Sequence, residues 1–134
     1  MVSDGGDTVL VADDLKEYLN YMKFQYQEAG PYKVLTANNG LEALDILKTE
    51  YVTYLITDHD MPGLNGCDLI REIVKARIQL KAIIIATGHP DNLECFENLK
   101  KELGDKVNLK VTSKQKALEI QTLKEMLKNR WEKV

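Results

Sequence analysis

Cysteine, histidine and proline are scarce in this sequence, with two, two and three copies among 134 residues. Cys67 and Cys95 lie far apart and match neither a zinc nor a redox spacing. No disulfide framework is indicated, and both are expected as free thiols, as suits a reducing cytosol. Neither His59 nor His89 has a second histidine at ligand spacing, so both are expected as solvent-facing loop residues. Positive charge is not in excess: the formal net charge is -3. A surface that tracks nucleic-acid phosphates needs surplus Lys and Arg, so direct nucleic-acid binding is not expected. Long hydrophobic runs are missing too. The most apolar stretch, residues 82–86, is far too short to cross a bilayer. No basic segment leads into an apolar one at the N-terminus, so no signal peptide is expected. The expected setting is the cytoplasm, without membrane insertion.

What is present is an alternation of short apolar runs and amphipathic stretches, in a length that fits one domain. Residues 1–7 are polar and Gly-rich and read as a flexible leader, leaving 8–134 as the domain. Residues 8–12 are apolar on both faces, the mark of a buried parallel strand. Residues 15–29 put Leu15, Leu19, Met22, Tyr26 and Ala29 at helical steps. A strand at 33–37, a helix at 41–48 and a strand at 54–57 follow. Residues 58–63 hold Pro62 and Gly63 and read as a loop. A helix at 67–76 precedes residues 81–86, the best candidate for a central strand. Asp91 can cap a helix at 92–103, which Gly104 ends. Residues 107–113 make a weaker, edge-like strand. Residues 116–131 carry Ala117, Ile120, Leu123, Leu127 and Trp131 on one stripe. Five strand-then-helix units predict an α/β fold: a doubly wound, five-stranded parallel sheet in a flavodoxin-like three-layer sandwich.

In such sheets ligands bind beyond the carboxyl ends of the strands. Those ends carry Asp13 and Asp14, then Asp58, then Thr87, then Lys114. Carboxylates that converge repel one another unless a cation joins them. Mg²⁺ suits oxygen donors of this kind and leaves positions open for phosphate oxygens. A hydroxyl and an ammonium opposite it would clamp a phosphoryl group, and Asp58 between them is the natural nucleophile. Each residue alone has a plainer reading. Asp13 or Asp14 can cap the next helix, Asp58 can belong to the turn, and Thr87 and Lys114 can be bland. Tyr18, Tyr21, Phe24 and Tyr26 crowd the first helix and read as packing. The weight rests on the joint occurrence at one mouth.

Over residues 8–126 the chain resembles the receiver domains of two-component response regulators. The elements that carry the likeness are Asp13-Asp14, Asn38-Asn39-Gly40, and Asp58-His59-Asp60-Met61-Pro62 with Gly66 further on. Ile83-Ile84-Ile85-Ala86-Thr87-Gly88 and a late lysine complete the set. The resemblance implies a signalling domain rather than an enzyme. Asp58 would be the phosphoacceptor for a histidine kinase or histidine phosphotransfer protein. Asp14 would bind Mg²⁺ (or Mn²⁺) directly, with help from Asp13, Asp58 and the backbone carbonyl of Asp60. Thr87 and the lysine would hold phosphoryl oxygens, and Thr87 would reshape an output surface for a partner that the sequence does not name.

Three departures stand out. Gln115 follows Lys114 where the family usually has Pro, and Lys110 competes for the lysine's place. Strand alternation assigns Lys110 to the strand body and Lys114 to its exit. No Tyr or Phe stands on the fifth strand where the family usually has one. Asp60 adds a carboxylate beside the site. Two other readings remain: a pseudo-receiver that binds a partner without phosphorylation, and a haloacid-dehalogenase-like phosphatase built on Asp58-His59-Asp60. The latter family places its Asp-x-Asp after the first strand, not the third.

Overall fold

A computed structural model of the protein describes residues 6–92 and 94–119. Its elements are β1 (Thr8–Ala12), α1 (Lys16–Ala29), β2 (Lys33–Ala37), α2 (Gly40–Thr49), β3 (Tyr54–Thr57), α3 (Gly66–Lys75), β4 (Ala82–Thr87), α4 (Glu94–Leu103), β5 (Leu109–Ser113) and α5 (Lys114–Ala117). The strands form one parallel sheet in the order β2-β1-β3-β4-β5. This is the doubly wound, flavodoxin-like α/β fold expected from the sequence. Among the described residues no helix is long and apolar enough to cross a membrane.

Side chains alternate across each strand and so build two cores. Leu10, Leu55, Ile83 and Ile85 face a layer with Leu44, Leu47, Leu69, Ile70, Ile73 and Leu99 from α2, α3 and α4. Val9, Val11, Ile56 and Ile84 face the opposite layer, with Leu19, Met22 and Tyr26 from α1. Burial on both faces explains why β1, β3 and β4 are apolar without interruption. β5 lies at the sheet edge and is only half-buried, which its polar residues tolerate.

Capping sets several helix starts. The Asn39 side chain accepts from the Glu42 N–H, the Asn65 side chain from Asp68, and the Ser113 hydroxyl from Lys116. Other boundaries differ from expectation. Leu15 is 56% exposed and precedes α1, because its N–H is held by the Asp13 carboxylate at 2.9 Å in an extended conformation. Asp91 lies in a 3-10 turn, Pro90–Asn92, whose leading proline is preset for helical φ, and α4 begins only at Glu94. β5 starts at Leu109, because Gly104 turns with φ +55° into a second 3-10 turn, Gly104–Lys106. Of the final stripe only Ala117 is described, and it is buried; Ile120, Leu123, Leu127 and Trp131 lie outside the described residues.

The largest correction concerns the cysteines. Cys67 and Cys95 are joined in a disulfide, not free. They are 28 residues apart in sequence, but α3 and α4 lie on the same face of the sheet and their first turns meet.

Two of the glycines mark close approaches to the loop after β3. A Cβ at Gly40 would sit 2.2 Å from the Leu64 carbonyl oxygen, and one at Gly66 would sit 2.7 Å from that of Asp58. Both neighbours are backbone and cannot swing aside. We expect Gly40→Ala to destabilise the protein by about 2 kcal/mol or more, read as a lower urea midpoint at unchanged m-value. An unchanged midpoint would show that the loop after β3 can retreat from α2 without cost.

Candidate functional site

The site stands where β1, β3, β4 and β5 end. Ala12 pairs with Thr57 across β1 and β3, so the next residues, Asp13 and Asp58, emerge side by side. The Asp58 N–H donates to the Ala12 carbonyl at 2.8 Å, and the Thr57 hydroxyl donates to the Asp58 carbonyl at 2.9 Å. Thr87 and Ser113 pair at the ends of β4 and β5, which brings Lys114 into the same mouth.

Carboxylate oxygens of Asp13, Asp14 and Asp58 all lie within 4.8 Å of one another. Asp13 and Asp58 are buried, at 1% and 4% exposure, while Asp14 faces solvent. Asp13 divides its oxygens between two tasks. Oδ1 accepts from the Leu15 N–H, and Oδ2 lies 2.9 Å from the Lys114 ammonium. Asp58 Oδ1 accepts from the His59 N–H at 2.8 Å, and Oδ2 lies 3.3 Å from the same ammonium. Lys114 is therefore the lysine that reaches Asp58. Lys110 sits within β5, opposite Ile84.

The electrostatics follow from this crowding. Burial, and then the charge of Asp13, raise the pKa of Asp58 above the usual carboxylate range despite the opposing pull of Lys114. Burial alone would lower the pKa of Lys114, but the hydrogen bond to Asp13 and the charges of Asp58 and Asp13 outweigh it and raise it. One ammonium thus serves two buried carboxylates while a third stands beside them. This arrangement fits a hard divalent cation: the donors are oxygens, they converge, and they carry more negative charge than the lysine offsets.

Thr87 is fully buried, and its hydroxyl lies 3.4 Å from both the N–H and Nδ1 of His89. His89 Nε2 in turn lies 3.3 Å from Asp60 Oδ2, with both side chains exposed. The Asp60 carboxylate is thus turned toward His89 and is not part of the convergent acidic group. His59 departs from expectation: it is half-buried, with its ring against Cys95 Sγ at 3.8 Å.

Tyr18 was not singled out from sequence as part of the site. Its hydroxyl donates to the Lys114 carbonyl at 2.9 Å, and its ring centroid lies 5.2 Å from the Lys114 ammonium. Burial, the neighbouring Tyr26 and the two buried aspartates raise its pKa, so it remains a neutral donor. Tyr26 donates likewise to the Ala117 carbonyl. The crowd of aromatics in α1 was the only signal, and half of it is surface: Tyr21 and Phe24 are exposed.

The chain matches the family model described as response regulator receiver domain over residues 9–127. It is 34% identical over 94 residues to a chemotaxis protein CheY homolog of Campylobacter jejuni, covering 69% of this chain and 72% of that one. It is 26% identical over 77 residues to the response regulator SaeR of Staphylococcus aureus, covering 58% of this chain and 33% of that one. Among solved structures it resembles a response regulator receiver domain protein of Clostridium thermocellum, with TM-score 0.64, 29% identity and coverage of 90% and 98%. It also resembles the Francisella response regulator 1452 receiver domain, with TM-score 0.71, 26% identity and coverage of 92% and 98%.

A carboxylate whose folded pKa is raised weakens the fold as it ionises. The contribution is nil below the unfolded carboxylate range and becomes a penalty as pH rises through and above it. We therefore expect Asp58→Asn to stabilise the metal-free protein at pH 7, with the gain vanishing in acid. Urea melts of both proteins at pH 7 and pH 3 would check this, and a gain of equal size at both would contradict it.

Proposed function

Since this chain belongs to the response regulator receiver domain family, we propose that it is a phosphoacceptor switch in which Asp58 takes a phosphoryl group and the change is passed to an output surface. The donor would be a histidine kinase or histidine phosphotransfer protein, and the setting the cytoplasm, where ATP-derived phosphoryl groups are held. The observation that carries the reading is the Lys114 ammonium between Asp13 and Asp58, beside a convergent group of three carboxylates. As a signalling domain it would catalyse only its own phosphorylation and dephosphorylation.

Asp13, Asp14, Asp58 and the Asp60 backbone carbonyl would hold Mg²⁺ or Mn²⁺. When bound, the ion supplies positive charge that offsets both the carboxylates and an incoming anionic phosphoryl group. The remaining roles belong to side chains. Asp58 is the nucleophile: one carboxylate oxygen attacks phosphorus, and the donor's leaving group departs with the bonding pair. Oδ1 is already held by the His59 N–H, so the carboxylate is oriented before any donor arrives. Lys114 would shift from carboxylate oxygen to phosphoryl oxygen, a short move for an ammonium 3.3 Å away. Thr87 would leave His89 and donate its hydroxyl to the phosphoryl group, freeing His89 and Asp60 at the rim. A dehalogenase-like phosphatase would need Asp60 as a general acid at the reacting group; here its carboxylate pairs with His89.

Incubation with acetyl phosphate and Mg²⁺, followed by intact mass measurement, should add one base-labile phosphoryl group per chain. Asp58→Asn should abolish it, and labelling of that variant to the wild-type extent would sink the proposal.

The two lysines offer a sharper comparison. Lys114→Ala should change the lifetime or yield of the phosphorylated state about tenfold or more, since a preorganised cation at developing charge is worth several kcal/mol. Lys110→Ala should stay within about twofold of wild type, as expected away from the site. Equal effects of the two substitutions would contradict the role given to Lys114.

A further inference from the structure

Outside the acidic mouth, a second set of ligand-type side chains converges. His59, Cys67 and Cys95 each offer an atom within 4.8 Å of the others. They come from three separate pieces of chain: the loop after β3, the first turn of α3 and the first turn of α4. Cys67 is buried at 1% exposure, while Cys95 and His59 are half-buried, so the group has a closed back and an open front.

We propose that His59, Cys67 and Cys95 form a redox-gated zinc site: the reduced thiols and the imidazole hold Zn²⁺, and oxidation expels the ion by closing the disulfide. The donor set is the soft mixture of sulfur and imidazole nitrogen that Zn²⁺ favours. Three ligands from protein leave a fourth position for water at the open front. The spacing also suits the ion. Tetrahedral Zn²⁺ with bonds of roughly 2.0 to 2.3 Å sets its ligand atoms about 3.5 to 3.8 Å apart. The His59 ring nitrogens already lie 3.8 and 3.9 Å from Cys95 Sγ. The two sulfurs must separate, and side-chain rotation accomplishes that with the helices in place. Their Cα atoms stand 6.4 Å apart.

The group has little purpose as a staple. A chain of this length buries an adequate core without one, and both cysteines already pack with the apolar cluster of α2, α3 and α4. A cytoplasmic setting, which this point takes from the proposed function, would favour a reversible disulfide over a permanent one. The chemistry balances with a low-molecular-weight disulfide as oxidant. Zn²⁺ binding displaces two thiol protons. A disulfide such as oxidised glutathione then accepts two electrons from the two thiolates, the Cys67–Cys95 bond forms, two glutathione thiolates leave, and Zn²⁺ is released. The His59 N–H holds Asp58 Oδ1, and Gly66, next to Cys67, donates its N–H to the His59 carbonyl at 3.0 Å. The site therefore abuts the phosphoacceptor loop, although zinc binding itself needs no phosphorylation.

The test uses the full chain, reduced with a phosphine and kept in excess Mg²⁺ so that the carboxylate mouth does not compete. Co²⁺ should give thiolate charge-transfer absorption in the near ultraviolet and tetrahedral bands in the visible. Zn²⁺ should abolish both at one ion per chain by native mass measurement. Oxidised glutathione should release the ion. Cys95→Ser, at a half-buried position that tolerates the change, should lose the thiolate charge-transfer band. His59→Ala should keep the band but bind Zn²⁺ at least tenfold more weakly. No such band in reduced wild type, a band that persists in Cys95→Ser, or unchanged Zn²⁺ affinity in His59→Ala would each overturn the proposal.

Discussion

One contact organises this molecule's chemistry: the Lys114 ammonium held between Asp13 at 2.9 Å and Asp58 at 3.3 Å. Two buried carboxylates could not share the ends of adjacent strands without it, because their charges repel one another and burial disfavours both charged forms. Removing the lysine from such a set would leave two buried carboxylates uncompensated, which costs far more than the net worth of either pair. The strand order places the lysine. β5 lies at the sheet edge beyond β4, so a residue at its exit needs a long stem to cross the end of β4 to Asp58. A shorter cation there would not reach.

That reach is controlled from α1. Tyr18 fixes the Lys114 backbone through its hydroxyl and lies beneath the ammonium with its ring, a contact worth about 0.5 to 2 kcal/mol depending on desolvation. Tyr26 holds the Ala117 carbonyl one turn further on. Together they tie an edge strand and the start of α5 to a helix that packs on β1. The helix after β1 thereby sets the position of a side chain delivered by β5, across the whole half-sheet that contains the acidic mouth.

Much of this was legible in the residues, and the gaps have physical reasons. Strands covered on both faces are apolar throughout, so β1, β3 and β4 stood out, as did Lys114 at the exit of an alternating segment. Period and turn chemistry are local signals, and they located local features. The Cys67–Cys95 bond is not local: it depends on α3 and α4 sharing a face, which only the folded order of the sheet decides. Tyr18 failed to stand out for a similar reason. An aromatic at helical spacing looks the same whether its hydroxyl meets solvent or a carbonyl 96 positions away. Leu15 misled because a carboxylate two residues earlier captured its N–H, a competition with the helix that hydrophobic spacing does not register.

The two oxygens of Asp58 answer to opposite layers of the sandwich. Oδ1 is held by His59, whose ring rests on Cys95 in the layer of α2, α3 and α4. Oδ2 is held by Lys114, which rests on Tyr18 in the layer of α1. A change at the carboxylate must therefore be felt on both faces of the sheet, since neither contact can be altered while the other keeps the same oxygen in the same place. The converse also holds. A rearrangement in either layer that moves His59 or Lys114 alters the orientation or charge balance of Asp58. Close packing makes the coupling stiff: the Gly66 backbone leaves no room for even a methyl group against the Asp58 carbonyl, so the loop after β3 cannot shift without α3. This geometry lets one buried carboxylate serve as a common point of the two helical layers on opposite faces of the sheet.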